Sequence, residues 1–386
     1  MDFDFDLEPV APKPSRKDFR IGIIGAGFVI REVQIPAYRH AGYNVAAIAS
    51  RSPETAHEVA DRHGVPHVYE TPLELLEDKR IDIVDLAVPP DQQLGIIREV
   101  VQRASHIKGI LAHKPLALNY RDAAEIVRLC DAAKITLAVN QNMRHDPSIR
   151  ALRTLLRRGA LGDPVLATIE MRATPHWQAW LREYGRLTLL NMSVHHLDCF
   201  RFLFGDPATV YASARTDPRT RFAHGDGICL YILEYENGFR AAAWDDVWAG
   251  IGPDGDAPEP FVRWRVEGTR GIAQGSVGWP EFPNRKPSLI QFTTMDTNRC
   301  WVSPQWKQVW FPDAFAGTMG ELMDALARGS EPGISGRDNL GTMALVEACY
   351  ASLQEHRPVR VAEVTAAGNA ADPVKQPGGV IAASQR

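Results

Sequence analysis

Arg20-Ile-Gly-Ile-Ile-Gly25-Ala-Gly27-Phe-Val-Ile30 is the stretch on which the fold turns. A short β-branched run climbs into two glycines, then passes into a helix-like pattern through Arg31, Ile35 and Tyr38. The pattern is that of a buried parallel strand, a tight turn and a helix start. Gly25 permits the turn. Gly27 removes the side chain that would hold a pyrophosphate away from the backbone, and the free N–H groups that open the helix, at Phe28, Val29 and Ile30, form an anion site. The third glycine position holds Ile30, so the helix is expected to stand slightly farther from the strand. A plain strand–turn–helix corner would read the same way in isolation. The strand before it, the helix after it and a second strand about twenty residues on favour a dinucleotide site.

Working outward, strand and helix alternate from Phe19 to about Gln141. Strands are expected at Ile21–Gly25, Val45–Ser50, Ile81–Val88, Ile107–Ala112 and Thr136–Asn140. Helices are expected at Val29–Ala41, Pro53–His63, Pro72–Asp78, Asp91–Arg103 and Tyr120–Ala133. Pro53, Pro72 and Pro90 fall at or just before helix starts, where a missing N–H costs little. Such alternation predicts a doubly wound parallel sheet of Rossmann type, whose ligands bind beyond the carboxyl ends of the strands. Gly25–Ile30, Ser50-Arg51, Val88-Pro89-Pro90, His113-Lys114-Pro115 and Asn140–Arg144 then share one rim.

Beyond Asp146 the composition shifts, and all nine tryptophans lie past residue 176. Alternating stretches at Val165–Arg172, Val210–Arg215, Ile228–Tyr235, Phe239–Trp244 and Phe261–Val266 predict a large, mostly antiparallel sheet with one covered face. Helices are expected at Ser148–Arg158, His195–Phe204, Ala314–Arg328 and Asn339–His356, the last ones packing back on the first unit. A length of 386 residues is too great for one ordinary core. The expected plan is a flexible arm (1–18), a dinucleotide-binding domain (19–145), an α+β substrate and oligomerisation domain (146–364) and a flexible tail (365–386). A formal charge of −4 gives no reason to expect nucleic acid or an anionic membrane, and no apolar run is long enough to span a bilayer. Five scattered cysteines without a CxxC pair argue for reduced thiols. The acidic start lacks the pattern of a signal peptide, so a cytoplasmic location is expected.

Three features carry chemistry. At the end of the second strand, where an acidic residue would hold a ribose 2′-hydroxyl, the sequence has Ser50-Arg51-Ser52. A guanidinium suits a 2′-phosphate, which favours NADP(H) over NAD(H), although an arginine can also stack on adenine. Next, Lys114 is aimed into the rim by Pro115, where it can polarise an oxygen and where a cationic nicotinamide would lower its pKa. The third is Asn191-Met-Ser-Val-His195-His196-Leu-Asp198, at a helix entrance. Asn191 and His195 project from one face, and Asp198 is placed to hold the imidazole's tautomer. His195 and His196 point in different directions with no third ligand nearby, so no metal is expected.

The glycine loop, Ser50-Arg51, Val88-Pro89-Pro90, Lys114-Pro115 and Asn191–Asp198, in this order, resemble the glucose–fructose oxidoreductase/inositol dehydrogenase (Gfo/Idh/MocA) family. The resemblance covers roughly Phe19 to Val361. Lys114-Pro115 matches the end of a Glu-Lys-Pro motif, with His113 in place of Glu. His195 matches the histidine of Asp-x-x-x-His, with Asn191 in place of Asp. Gln93 replaces a histidine after the Pro-Pro turn. The resemblance implies hydride transfer between NAD(P) and a secondary hydroxyl or keto group of a sugar, glycoside or cyclic polyol. In the oxidative direction His195 takes the proton and Lys114 steadies the oxygen. Oligomers, dimeric or tetrameric, form through the C-terminal sheet.

Gln93, His113 and Asn142 are expected near the cofactor. His176, Trp177 and Trp180 are expected as a stacking wall for a sugar, with Arg144 and His196 as further substrate contacts. The later tryptophans read as core or oligomer contacts. Two rivals are an NAD-dependent oxidation–elimination that cleaves a glycoside, and a non-catalytic nucleotide-binding sensor.

Overall fold

The glycine stretch takes the expected shape in the computed structural model, which describes residues 6–173, 179–247, 260–279 and 281–370. β1 (Arg20–Ile24) ends at Gly25, whose φ of +117° L-residues rarely adopt. A Cβ there would stand 2.2 Å from the Ala87 carbonyl oxygen, so only glycine fits. The chain then enters a wide π-helical turn, Val29–Gln34, and continues as α1 (Ile35–Ala41). Ile30 at the third glycine position is buried with Ile21, Ile23 and Ile35, and the wider turn surrounds that bulk.

The first unit continues through β2 (Asn44–Ala49), α2 (Pro53–His63), β3 (His67–Tyr69), α3 (Pro72–Glu77), β4 (Ile83–Leu86), α4 (Pro90–Arg103), β5 (Gly109–Ala112), α5 (Tyr120–Ala132) and β6 (Thr136–Val139). Its sheet runs β3-β2-β1-β4-β5-β6, parallel throughout. The strand order reverses direction between β1 and β4, which opens a crevice above those two strand ends. The edge strand β3 adds to the strands expected from sequence. It is three residues long and only half buried, too short to display a period. Ser52, Thr71 and Asn119 cap α2, α3 and α5 by accepting from the N–H groups of Thr55, Glu74 and Asp122.

The second unit begins with α6 (Pro147–Arg157), β7 (Pro164–Arg172), α7 (Val194–Phe204), β8 (Thr209–Arg215), β9 (Ile228–Glu234) and β10 (Arg240–Asp246). It continues with β11 (Phe261–Gly268), β12 (Gly271–Ser276) and β13 (Leu289–Thr294). α8 (Phe315–Arg328), α9 (Gly336–Glu355), β14 (Val359–Arg360) and α10 (Val361–Ala370) follow. The eight-stranded order is β13-β12-β11-β7-β10-β9-β8-β14, antiparallel except where β7 meets β10. Helices α6 and α9 pack on one face, and among the described residues the other face exposes Tyr211, Leu230 and Ile232. β12 carries two glycines, which hid it from the sequence. At Gly275 the space of a side chain is taken by the Trp264 indole, 2.3 Å from an added Cβ.

The chain does return to the first unit. α8 crosses β5 and β6, burying Met319, Leu322 and Met323 against Ile21, Ile23 and Leu111. Each such side chain contributes about 1.5–3 kcal/mol of transfer free energy. The expected flexible arm needs correction over residues 6–18. Leu7 is buried in the core, and Ser15 donates its hydroxyl to Asp324 of α8 at 2.9 Å. Of the expected tail, residues 365–370 continue α10 and the remainder lies outside the described residues.

Candidate active site

Above the β1/β4 crevice lies a cavity of about 560 Å³. Its near wall is the glycine turn, with Gly25, Gly27, Phe28, Val29 and Ile30, and its rim adds Ser50, Arg51, Val88, Pro89 and Pro90. An added Cβ at Gly27 would meet nothing within 4 Å, so the backbone there faces open space. An open backbone at a helix start, beside a turn that only glycine can make, has the form a dinucleotide pyrophosphate requires.

At the far end, Lys114 follows β5 and reaches across to the π-helical turn Leu189–Ser193 that leads into α7. Its Nζ donates to the Asn191 carbonyl oxygen at 2.6 Å and to Asn191 Oδ1 at 3.2 Å. Burial lowers the Lys114 pKa to about 7. The strand end is clamped from behind: Gln93 Nε2 donates to the carbonyls of His113 and Pro115, at 2.9 and 3.0 Å. Gln93 therefore shapes the loop and does not itself line the cavity. The turn bearing Asn191 is anchored by Asp226, which accepts from the Leu187 and Leu189 N–H groups and from the Tyr350 hydroxyl.

His195 lines the same cavity and packs edge-on against Trp310, with ring centroids 5.5 Å apart. Its Nδ1 has no hydrogen-bond partner among the described residues. Burial, then the nearby Lys114 and His196, hold its pKa well below the usual histidine value, so the ring is neutral at neutral pH. An aromatic wall of Trp279, Trp310, Phe311 and Phe315 closes this end, and the Trp310 indole donates to Asn142 Oδ1 at 2.8 Å. Among the described residues no three His, Cys, Asp or Glu side chains converge as a metal site, and no helix is long and apolar enough to cross a membrane.

Residues 19–141 match the model of an oxidoreductase family with an NAD-binding Rossmann fold, and residues 149–274 match the Gfo/Idh/MocA C-terminal domain. The chain belongs to the Gfo/Idh/MocA oxidoreductase family. Among its relatives, D-apiose dehydrogenase of Rhizobium rhizogenes is 28% identical over 88% of this chain and 96% of its own length. Inositol 2-dehydrogenase of Rhizobium meliloti is 25% identical over 89% of this chain and 99% of its own. An oxidoreductase from Agrobacterium radiobacter, solved with NAD+, L-tartaric acid and magnesium, superposes with a TM-score of 0.76 at 26% identity. That match covers 90% of this chain and 99% of the other.

Within this Gfo/Idh/MocA chain the structure gathers some expected site residues and withdraws others. Lys114, Asn191, His195, His113 and Asn142 meet at one cavity. Asp198 does not hold the His195 imidazole. Its two carboxylate oxygens accept from Arg144 Nε and an Nη, both at 2.6 Å, and from the Thr342 hydroxyl. The same Arg144 also donates to Asp338 and to the Gly333 carbonyl. Burial alone would lower its pKa, but the two carboxylates outweigh that and hold it above the usual value. Arg144 thus has no face on the cavity and joins α7 and α9 to the turn after β6.

His196 is fully buried, its Nδ1 bonded to Asp245 at 2.9 Å, and is likewise turned away from the cavity. His176 and Trp177 lie outside the described residues, as does the side chain of Trp180. The aromatic wall of the cavity comes from Trp279 and Trp310, which the sequence alone suggests as core or oligomer contacts. Their spacing carries no period, and only the tertiary fold brings them to the cavity.

Removing Arg144 strands the buried Asp198 carboxylate, so Arg144→Met is expected to cost about 3–5 kcal/mol. Chemical denaturation measures this. A change below about 1 kcal/mol would show that the ionic junction does not hold the two units together.

Proposed function

We propose that this chain moves a hydride between a nicotinamide dinucleotide and a secondary hydroxyl or keto group of a sugar or cyclic polyol. The observation that carries this reading is the meeting of Lys114 and His195 in one cavity with the glycine turn. The sugar and polyol dehydrogenases among the relatives support it. Bound nicotinamide supplies the hydride acceptor in oxidation and the donor in reduction. The indole faces of Trp279 and Trp310 suit the apolar C–H face of a sugar ring.

The tuned groups exchange the roles expected from sequence. With a pKa of about 7, the Lys114 amine is matched to accept the hydroxyl proton as the C–H bond breaks. The neutral His195 imidazole, without a carboxylate behind it, donates its ring N–H to the oxygen of the same hydroxyl and orients it. Asn191 keeps the amine directed across the cavity.

Arg51 is exposed at the rim with no hydrogen-bond or ion-pair partner among the described residues, and Ser50 and Ser52 flank it. This arrangement favours a 2′-phosphate, hence NADP(H). The open sheet face carries Tyr211, Leu230 and Ile232, each more than two-fifths exposed. Cross-strand pairing places Tyr211 beside Ile232. A second copy of the chain is the proposed cover, giving a dimer or tetramer. All five cysteines are unpaired, which fits a reducing, cytoplasmic setting.

Three measurements check these readings. The neutral amine fraction grows as pH rises through about 7, so oxidation should accelerate over that range and level off above it, with reduction showing the opposite trend. Lys114→Ala should lose this limb and about 10²–10⁴ in kcat. A limb retained in Lys114→Ala and lost in His195→Ala would return the base to the histidine. Secondly, Arg51→Asp should weaken NADP(H) binding more than tenfold while sparing NAD(H), read by calorimetry. Equal effects on both cofactors would remove Arg51 from the 2′ position. Finally, light scattering should find an oligomer that Ile232→Asp dissociates with its circular dichroism unchanged, whereas a monomeric parent at micromolar concentration would end the sheet-face proposal.

A further inference from the structure

A buried chain of polar groups runs beneath the cavity, and both of its ends fix its direction. At one end the Trp310 indole, which can only donate, bonds Asn142 Oδ1. That turns Asn142 Nδ2 toward the carbonyl and side-chain oxygens of Asn140, at 3.2 and 3.3 Å. Asn140 in turn offers its Nδ2 to Gln34 Oε1 at 3.3 Å. At the other end lies Asp85 of β4, fully buried. Its Oδ2 accepts from Gln34 Nε2 at 2.5 Å and from the Tyr38 hydroxyl at 2.9 Å. A proton on this carboxyl would sit on Oδ1, which makes no hydrogen bond among the described residues and lies 3.7 Å from His113 Nε2, and would leave the accepting role of Oδ2 intact.

Approached from either side, the Gln34 amide has one orientation: Nε2 toward Asp85 and Oε1 toward His113. The His113 Nε2 lies 2.9 Å from that oxygen and must carry the proton between them. The imidazole is a neutral ring, since burial and then Lys114 lower its pKa to about 3. A neutral ring protonated on Nε2 has a bare Nδ1. No described residue pairs with that atom, and the ring lines the cavity next to Lys114.

We propose that Gln34 and Asp85 are positioning residues that lock His113 as the Nε2–H tautomer, so that Nδ1 accepts a hydrogen bond from the nicotinamide-riboside half of the bound dinucleotide. Gln34 closes the same helical turn that begins at the glycine loop, so one side chain ties the pyrophosphate end of the cavity to its reactive end. Where the Glu-Lys-Pro motif carries a charged acceptor, this chain carries an uncharged one whose direction is set from behind. The proposal rests on the dinucleotide site described above and needs no sugar for its test.

The test is imidazole nitrogen NMR of histidine-labelled protein, with His113 assigned by difference from His113→Gln. In the parent, Nε2 should appear as the protonated nitrogen and Nδ1 as the bare one. Saturation with NAD+ should shift Nδ1 in the sense of accepting a hydrogen bond, while AMP, which lacks the nicotinamide half, should leave it unmoved. A proton found on Nδ1, or a resonance indifferent to NAD+, or one moved equally by AMP, would overturn the proposal.

Binding supplies the second arm. Gln34→Met should weaken NAD+ about tenfold, the scale of one hydrogen bond. Gln34→Met combined with His113→Gln should bind no worse than His113→Gln alone, because Gln34 acts through the histidine. Additive losses would make Gln34 merely structural. Neither arm involves a sugar, so a failed sugar screen leaves this result standing, and a failed tautomer leaves the sugar reading standing.

Discussion

The two hydrogen bonds from Lys114 to Asn191 join the end of the fifth parallel strand to the turn that opens α7. They join the two units across the cavity, and the site's properties follow from how they are enclosed. An ammonium this deeply buried is costly unless something compensates, and here the compensation is neutral: one carbonyl and one amide oxygen, with no carboxylate. The lysine therefore stabilises its charged form poorly and gives up its proton near neutrality. A carboxylate at residue 191 would have worked in the opposite direction, holding the proton on the lysine.

The charges that the site excludes are placed directly behind it. Arg144, Asp198 and Asp338 form an ionic knot one helical turn from His195, and Asp245 takes up the neighbouring His196. Each fixes the position of α7 without putting a formal charge in the cavity. The reacting groups thus sit in an apolar, aromatic-walled space where small differences in proton affinity have large effects. Asp198, which holds the ion pair, and His195, which faces the cavity, lie one turn apart on one helix but face opposite ways.

Much of this was legible from the chain alone, for identifiable reasons. Local geometry dictated the glycine turn, since only glycine tolerates the positive φ and the approach of Ala87 at residue 25. Buried parallel strands announced themselves by their apolar runs, and Lys114-Pro115 by its place at a strand end. Elements that depend on distant partners were harder to read. β12 is held by its ladders to β11 and β13 with Trp264 over its glycine, and the partner of Asp198 is Arg144, fifty-four residues away in sequence. Helical spacing correctly placed Asp198 one turn from His195, yet the stronger guanidinium claimed it. Trp279 and Trp310 reach the cavity through loops with no period to betray them. The leading segment reads as free because its composition is acidic and proline-bearing, while Leu7 in the core and the Ser15 bond to Asp324 anchor it.

Burial at this junction, more than any charged neighbour, sets the proton affinity of Lys114. Direct titration of that side chain by NMR, in protein carrying isotope-labelled lysine and assigned against Lys114→Arg, reads it without any substrate. A titration midpoint near 7 is the expected result. A midpoint close to the ordinary lysine value of about 10.4 would contradict the account.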